Sequence, residues 1–256
     1  MRGMTRIKIC GLSTPETVDA VVAAGADAIG FNFVATSPRF VVVDQAAALA
    51  ARVAPFVTCV GLFVDASAEQ VRAVLARVQL QSLQFQGAES DDFCASFGLP
   101  YVKAVRVSAP VDGPALAALF PRASGIQLDA ASATGSGGTG TRFDWAWFPR
   151  DGAKHWILAG GLDPANVGAA VAGLRPYAVD VSSGVESAPG KKDLGRIDAF
   201  CAAVRAADQL TAARAQVGED VPTQAVTAAP HPEPRASSSP DHPTAPSNRK
   251  PMDNRA

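Results

Sequence analysis

The stretch "HWILAGGLDPANVGAAVAGLRPYAVDVSSGVE", residues 155–186, shows the fold in miniature. A short apolar run, "HWILA", ends in Gly160-Gly161, and a second, "YAVDV", ends in Ser182-Ser183-Gly184. Between them Asp163-Pro164 opens "ANVGAAVAG", a segment with a helix-start signal in front of it. Two strands separated by a helix run parallel, because only a crossover of that length returns the chain to the same edge. The unit is strand, helix, strand, with glycine after each strand.

Upstream the alternation repeats. Apolar runs stand at "IKIC" (7–10), "AIGFNF" (28–33), "TCVGLFV" (58–64), "SLQF" (82–85), "YVKAVRV" (101–107) and "GIQL" (125–128). Helix starts lie between most of them: Thr14-Pro15-Glu16, Asp44 ahead of "QAAALAARV", and the capping box Ser67-x-x-Gln70 ahead of "VRAVLARV". Strict alternation predicts a parallel sheet with helical crossovers. Eight such units close into a (β/α)8 TIM barrel, for which roughly 200 residues is the lower limit. An open doubly wound sheet satisfies the same alternation, but the count of eight and the late glycines favour the barrel.

Composition sets the remaining bounds. Lys and Arg total 23 against 24 Asp and Glu, so the chain lacks the basic surplus that marks a nucleic-acid binder. No apolar run approaches the roughly 18 residues of a membrane span. "MRGMTRIKIC" has no apolar signal-peptide core, and the regular pattern starts only after Met4, which is an alternative start to Met1. Four cysteines, at 10, 59, 94 and 201, form no C-x-x-C pair, so neither disulfides nor zinc are expected. These features predict a reduced, cytoplasmic chain. Past residue 208 the sequence turns rich in Pro, Ser and Ala and nearly loses its large apolar residues. The expected division is a barrel over 1–208 and a disordered tail over 209–256.

"GSGGTG", residues 135–140, matches the dinucleotide spacing G-x-G-x-x-G. That spacing has meaning only between a strand and a long helix. Here a polar loop precedes it and "TRFDWAWF" follows, so the dinucleotide reading fails on context.

In a (β/α)8 barrel the chemistry sits at the C-terminal ends of the strands. Cys10, Asn32, Asp65, Asp129, Gly160-Gly161 and Ser182-Ser183-Gly184 occupy those positions. Glycine loops after strands seven and eight suit an anion, because bare N–H groups can approach phosphate oxygens. Either loop alone reads equally well as a plain turn; the two together favour phosphate. An isolated Cys10 reads as a small buried hydrophobe. Lys8, two residues earlier, points to the same side and would lower its pKa. Asp180, among valines, is the expected inward partner of Lys8. Asp129 reads as a loop cap or a catalytic carboxylate, and Asp65 as a rim or capping group. In "SPRF" (37–40), Arg39 offers a planar fork suited to a carboxylate, and a solvated loop arginine fits as well.

The motifs "KICGL", "GADAIGFNF", "SPRFV", "VGLFVD", "GGTGTRFDW", "LAGGLDPANV", "DVSSGVE" and "GKKDLGRI" occur in order through the folded portion. Together they resemble the phosphoribosylanthranilate isomerase family. The resemblance implies a cofactor-free Amadori rearrangement of N-(5-phosphoribosyl)anthranilate in tryptophan biosynthesis. Carried over, it makes Cys10 the general base and Asp129 the general acid. It gives substrate binding to Arg39, Gly160, Gly161, Asp180, Ser182, Ser183 and Gly184, with Arg39 on the anthranilate carboxylate and the backbones near Gly161 and Ser183-Gly184 on the phosphate. Gly138, Thr139 and Gly140 become part of a lid. The implied partner is the small-molecule substrate alone, with no metal, nucleic acid or membrane, in a monomer or homodimer. Two departures stand out: Gln86 replaces the family's frequent His, and Ala130 stands where a hydroxyl residue is common. A related barrel isomerase of histidine synthesis is the rival enzyme, but it uses carboxylates where this chain offers a thiol. A catalytically dead phosphosugar-binding barrel is the rival from another class.

Overall fold

The computed structural model describes residues 4–130 and 144–217. Eight parallel strands close into one barrel: β1 (Arg6–Cys10), β2 (Ala28–Asn32), β3 (Thr58–Phe63), β4 (Ser82–Phe85), β5 (Tyr101–Val107), β6 (Gly125–Ala130), β7 (Trp156–Leu158) and β8 (Ala178–Val181). Closure is made by β8 on β1, with Lys8 the register partner of Asp180 and Ile7 of Val179. The open-sheet alternative is thereby excluded.

Helices α1 (Pro15–Ala23), α2 (Val43–Ala50), α3 (Ala68–Leu75), α4 (Asp91–Ala95), α5 (Gly113–Leu119), α6 (Val167–Leu174) and α7 (Leu194–Val217) surround the barrel. Thr14 caps α1 and Ser67 forms a capping box, as their sequences predict; Thr14 also closes a box with Thr17. Asp44 is not a cap. α2 begins one residue before it, and Asp44 instead lies in the first turn, where its carboxylate suits the helix dipole and pairs with Arg77. Asp163 caps a turn, taking the N–H groups of Ala165 and Asn166, and α6 proper starts at Val167.

The period of two divides each strand between two cores. Ile7 and Ile9, Ile126 and Leu128, Val179 and Val181 pack outward under the helices. Their alternates are polar: Lys8, Gln84, Gln127 and Asp180 are all buried. A barrel interior is usually filled by branched aliphatics. This one carries charge and amides beneath its C-terminal mouth.

α7 buries Ile197, Phe200, Cys201, Val204 and Ala207, a helical stripe that ends where the composition changes. The helix itself continues to Val217, so residues 209–217 are not the disordered segment their composition suggests. "QLTAARAQV" is rich in strong helix formers, and propensity carries the backbone on after packing has ended. Leu210 is 63% exposed. The expected tail over 218–256 lies outside the described residues, as does the expected lid at Gly138, Thr139 and Gly140.

The last packed turn holds the first strand. Asp208 accepts the Thr5 N–H and the Thr5 hydroxyl, each at 2.8 Å, and Arg205 donates to the Thr5 carbonyl at 2.7 Å. Asp208→Ala is expected to lower stability by about 1–3 kcal/mol, since the Thr5 amide is left without an acceptor. Leu210→Ala, two residues on, should fall within about 0.5 kcal/mol of the parent. Urea denaturation of both variants checks this; equal losses would show that the exposed turn of α7 also carries packing.

Candidate active site

Cys10 ends β1 facing the barrel axis, below a cleft of ≈ 290 Å³ at the C-terminal mouth. The cleft is also lined by Arg39, Asp129, Gly160, Gly161, Asp180, Ser182, Ser183 and Gly184. All nine cleft and loop residues assigned from sequence to catalysis or substrate binding therefore meet there. Cys10 is 5% exposed, whereas Asp129 is half-buried at the end of β6, in register with Arg106 on β5.

The thiol rests in a charged pocket. Lys8 Nζ donates to Asp180 Oδ1 at 2.9 Å, so the pair anticipated from the strand pattern is formed. Burial disfavours the Lys8 ammonium, but Asp180 and then Cys10 outweigh it and raise its pKa. For Cys10 the balance goes the other way. Burial pushes the thiol up, and Lys8 and Lys192 do not cancel it. The expectation that Lys8 draws the thiol below its ordinary range is overturned. Desolvation of the thiolate wins, and Asp180 adds to it.

The glycines are needed for close approach. Gly11 has φ +79°, and a Cβ there would lie 2.6 Å from Arg39 Cδ, so the chain after Cys10 leaves room for the arginine stem. Gly160 and Gly161 take φ +80° and +64°, a backbone conformation that favours glycine at both positions. A Cβ on Gly184 would collide with the Leu162 carbonyl, so the loops after β7 and β8 abut.

Arg39 is not a solvated loop residue. Its Nε and Nη2 donate to Glu186 Oε1 and Oε2 at 2.7 and 2.8 Å, and its side chain is 11% exposed. Glu186 opens β9 (Glu186–Ala188), which forms a small hairpin with β10 (Lys191–Lys192). Lys192 Nζ reaches Glu186 Oε1 at 2.7 Å and the Ser182 carbonyl at 2.9 Å; the Ser182 hydroxyl donates to the Cys10 carbonyl at 3.0 Å. No local pattern in the sequence assigns Glu186 or Lys192 a role. "GKKD" was the available signal, but nothing in it points to a partner 147 residues away. Asn32 accepts the Val34 N–H and donates to Ser37, shaping the loop that carries Arg39. Asp65 accepts the Ala88 N–H and so ties the loop after β3 to the loop after β4. Gln86 lines the cleft.

A closed parallel barrel with a thiol, a carboxylate, a guanidinium and two glycine loops converging on one cleft defines a (β/α)8-barrel enzyme. The family model described as N-(5'phosphoribosyl)anthranilate (PRA) isomerase matches residues 7–203. The chain belongs to this family. N-(5'-phosphoribosyl)anthranilate isomerase of Pseudomonas fluorescens is 52% identical over 204 residues, spanning 80% of this chain and 97% of its own. Among solved structures, a phosphoribosyl anthranilate isomerase in complex with reduced 1-(o-carboxyphenylamino)-1-deoxyribulose 5-phosphate is 37% identical, with TM-score 0.69, over 79% of this chain and all of its own. Monomers of the dimeric enzyme from Thermotoga maritima are 35% identical with TM-score 0.69, over the same shares. The protein is accordingly an isomerase of tryptophan biosynthesis.

The raised thiol gives a direct test. Thiolate absorbance in wild type minus Cys10→Ser should develop only above the ordinary thiol value of about 8.5. A midpoint below that value would show that Lys8 and Lys192 outweigh burial.

Proposed function

We propose that Cys10 is the general base and Asp129 the general acid of the Amadori rearrangement of N-(5-phosphoribosyl)anthranilate. The observation that carries this reading is the convergence of both groups on one cleft with Arg39 and the two glycine loops. Asp129 gives a proton to the ribose ring oxygen, C1–O breaks, and the anilino nitrogen supplies the electron pair that forms the Schiff base. Cys10 then takes the proton from C2. The resulting enamine tautomerises to the ketone, leaving 1-(2-carboxyphenylamino)-1-deoxyribulose 5-phosphate. One proton is delivered to the ring oxygen and one is removed from C2, both atoms bonded to C1, so no cofactor enters the balance.

In this reading the substrate phosphate sits on the N–H groups of Gly160, Gly161, Ser183 and Gly184. Ser182 and Asp180 support from below, through Cys10 and Lys8. Arg39 receives the anthranilate carboxylate. Two of its five N–H donors hold Glu186, and the edge of Nη1 and Nη2 remains for a second carboxylate. The reading puts the enzyme in the cytoplasm as a monomer or homodimer. No described helix is long and apolar enough to cross a membrane, and the Thermotoga relative supplies both monomers and a dimer.

The ordinary pKa values, about 3.9 for Asp and 8.5 for Cys, run against these roles. The active form needs the thiolate and the protonated carboxyl together. Between the two pKa values the fraction in that form stays level, because one factor rises as the other falls. Above the thiol pKa the thiolate is complete and the acid is still being lost. The alkaline limb of kcat/KM therefore reports Cys10, and the raised thiol places that limb above about 8.5. An alkaline limb below this value would remove Cys10 from the role.

Asp129→Asn and Cys10→Ser should each lower kcat by at least the roughly 10²–10⁴-fold of one positioned acid or base. Loss of substrate fluorescence follows the reaction. A Cys10→Ser enzyme that kept most of its rate would pass the base role to Asp180.

A further inference from the structure

The β9–β10 hairpin presses on the Arg39 loop at two points. Gly190, with φ +77°, lies so close to Pro38 that a Cβ would collide with the Pro38 carbonyl. Four residues earlier, Glu186 receives Arg39 side-on. The same carboxylate takes Lys192 Nζ at 2.7 Å and the Gly190 N–H at 3.2 Å, and Arg196 Nη1 fixes its backbone carbonyl at 2.6 Å. The Glu186 and Lys192 side chains are 3% and 1% exposed. The carboxylate that holds Arg39 is thus itself held from the far side.

The charges matter as much as the geometry. Arg39, Glu186 and Lys192 sum to one positive charge in a buried cluster. Among the described residues, Glu186 is the partner of the Arg39 Nε–Nη2 edge, and no bond is seen on the Nη1–Nη2 edge. Such a cluster is balanced by one anion arriving from the cleft, and the side-on grip fixes where that anion binds. Burial opposes the Glu186 anion, but hydrogen bonds from Arg39 and Lys192 outweigh it and hold its carboxyl below the usual range.

We infer that Glu186 is a positioning residue for substrate recognition: by gripping the Nε–Nη2 edge of Arg39 it presents the opposite edge to the substrate's aromatic carboxylate. The inference rests on the reading of Arg39 as the carboxylate's partner. It makes the hairpin between β8 and α7 the source of selectivity for an anthranilate ring over an uncharged one. Glu186 never touches the reacting atoms.

The test compares two ligands by titration calorimetry: reduced 1-(o-carboxyphenylamino)-1-deoxyribulose 5-phosphate, and the same molecule without the ring carboxylate. The intact enzyme should prefer the first. Glu186→Gln keeps the side-chain size but gives one acceptor where Arg39 needs two. Its preference should fall by about tenfold or more, the scale of one hydrogen bond to a charged group, with affinity for the second ligand within about twofold. Glu186→Asp keeps the buried charge and withdraws the carboxylate by one methylene. It guards against a glutamine variant that does not fold, and should show an intermediate loss of preference. Equal weakening of both ligands would make Glu186 a brace only, and tighter binding of the carboxylate ligand would make it a competitor for Arg39. Either outcome, or an unchanged preference in both variants, overturns the inference. Arg39→Lys separates the two readings: it retains a charge for Glu186 but no second edge. If that variant keeps the full preference, the assignment of Arg39 itself has failed.

Discussion

An ammonium and a carboxylate enclosed within a barrel must be brought together, or the barrel carries two unpaired charges in a poorly solvated interior. Lys8 lies on the first strand and Asp180 on the last, and the register that makes them Cα partners is the closure of the sheet. Breaking a buried pair of this kind costs about 3–5 kcal/mol, because the surviving charge has no partner. The pair therefore acts against open or slipped versions of the sheet. A shift of one residue would also turn Ile7 and Val179 inward and the two charges out among the helices. Cys10 inherits its surroundings from the same register, two residues above Lys8 on the same face.

From that closure the functional groups follow as a connected chain. Ser182, just past β8, holds the carbonyl of Cys10, and Lys192 holds Ser182. Lys192 and Arg39 meet on Glu186, while the stem of Arg39 crosses Gly11, the neighbour of Cys10. The circuit starts and ends beside the thiol. It uses loops after β1, β2 and β8 and the hairpin before α7. A barrel places such loops side by side whatever their distance in sequence, which is why one cleft can draw on residues 10, 39, 182 and 192.

How much of this was legible in the sequence depended on the range of each interaction. The strands are set by alternation over four to seven residues, and all eight apolar runs became strands. The N-cap at Thr14 and the capping box at Ser67 are contained within four residues and formed as written. Asp44 misled because an acid fits both the cap and the first turn, and only tertiary packing chose between them. At residues 209–217 the loss of large apolar residues marked the end of packing, which is a different event from the end of a helix. Of the site, the cleft-lining positions were legible because fold and resemblance agree on the strand ends. The grip of Glu186 on Arg39 was not: no local pattern records a pairing across 147 residues.

The same limit explains the direction of the Cys10 shift. Lys8 is visible two residues away and its sign is plain, so a lowered thiol is the natural expectation from sequence. Burial has no letter in the sequence, and here it is the larger effect. For the base role proposed for Cys10, the consequence is a trade. A raised thiol offers less thiolate at neutral pH, but each thiolate is the stronger base, and proton abstraction from carbon gains from basicity along a Brønsted line. Lys8 and Lys192 limit how far the thiolate is penalised without removing its basicity, since each is already shared with an acid, Asp180 or Glu186. An unshared lysine beside Cys10 would give more thiolate and a weaker base. In the proposed role of Cys10 as base, the two buried carboxylates thus keep the neighbouring cations from over-stabilising its thiolate.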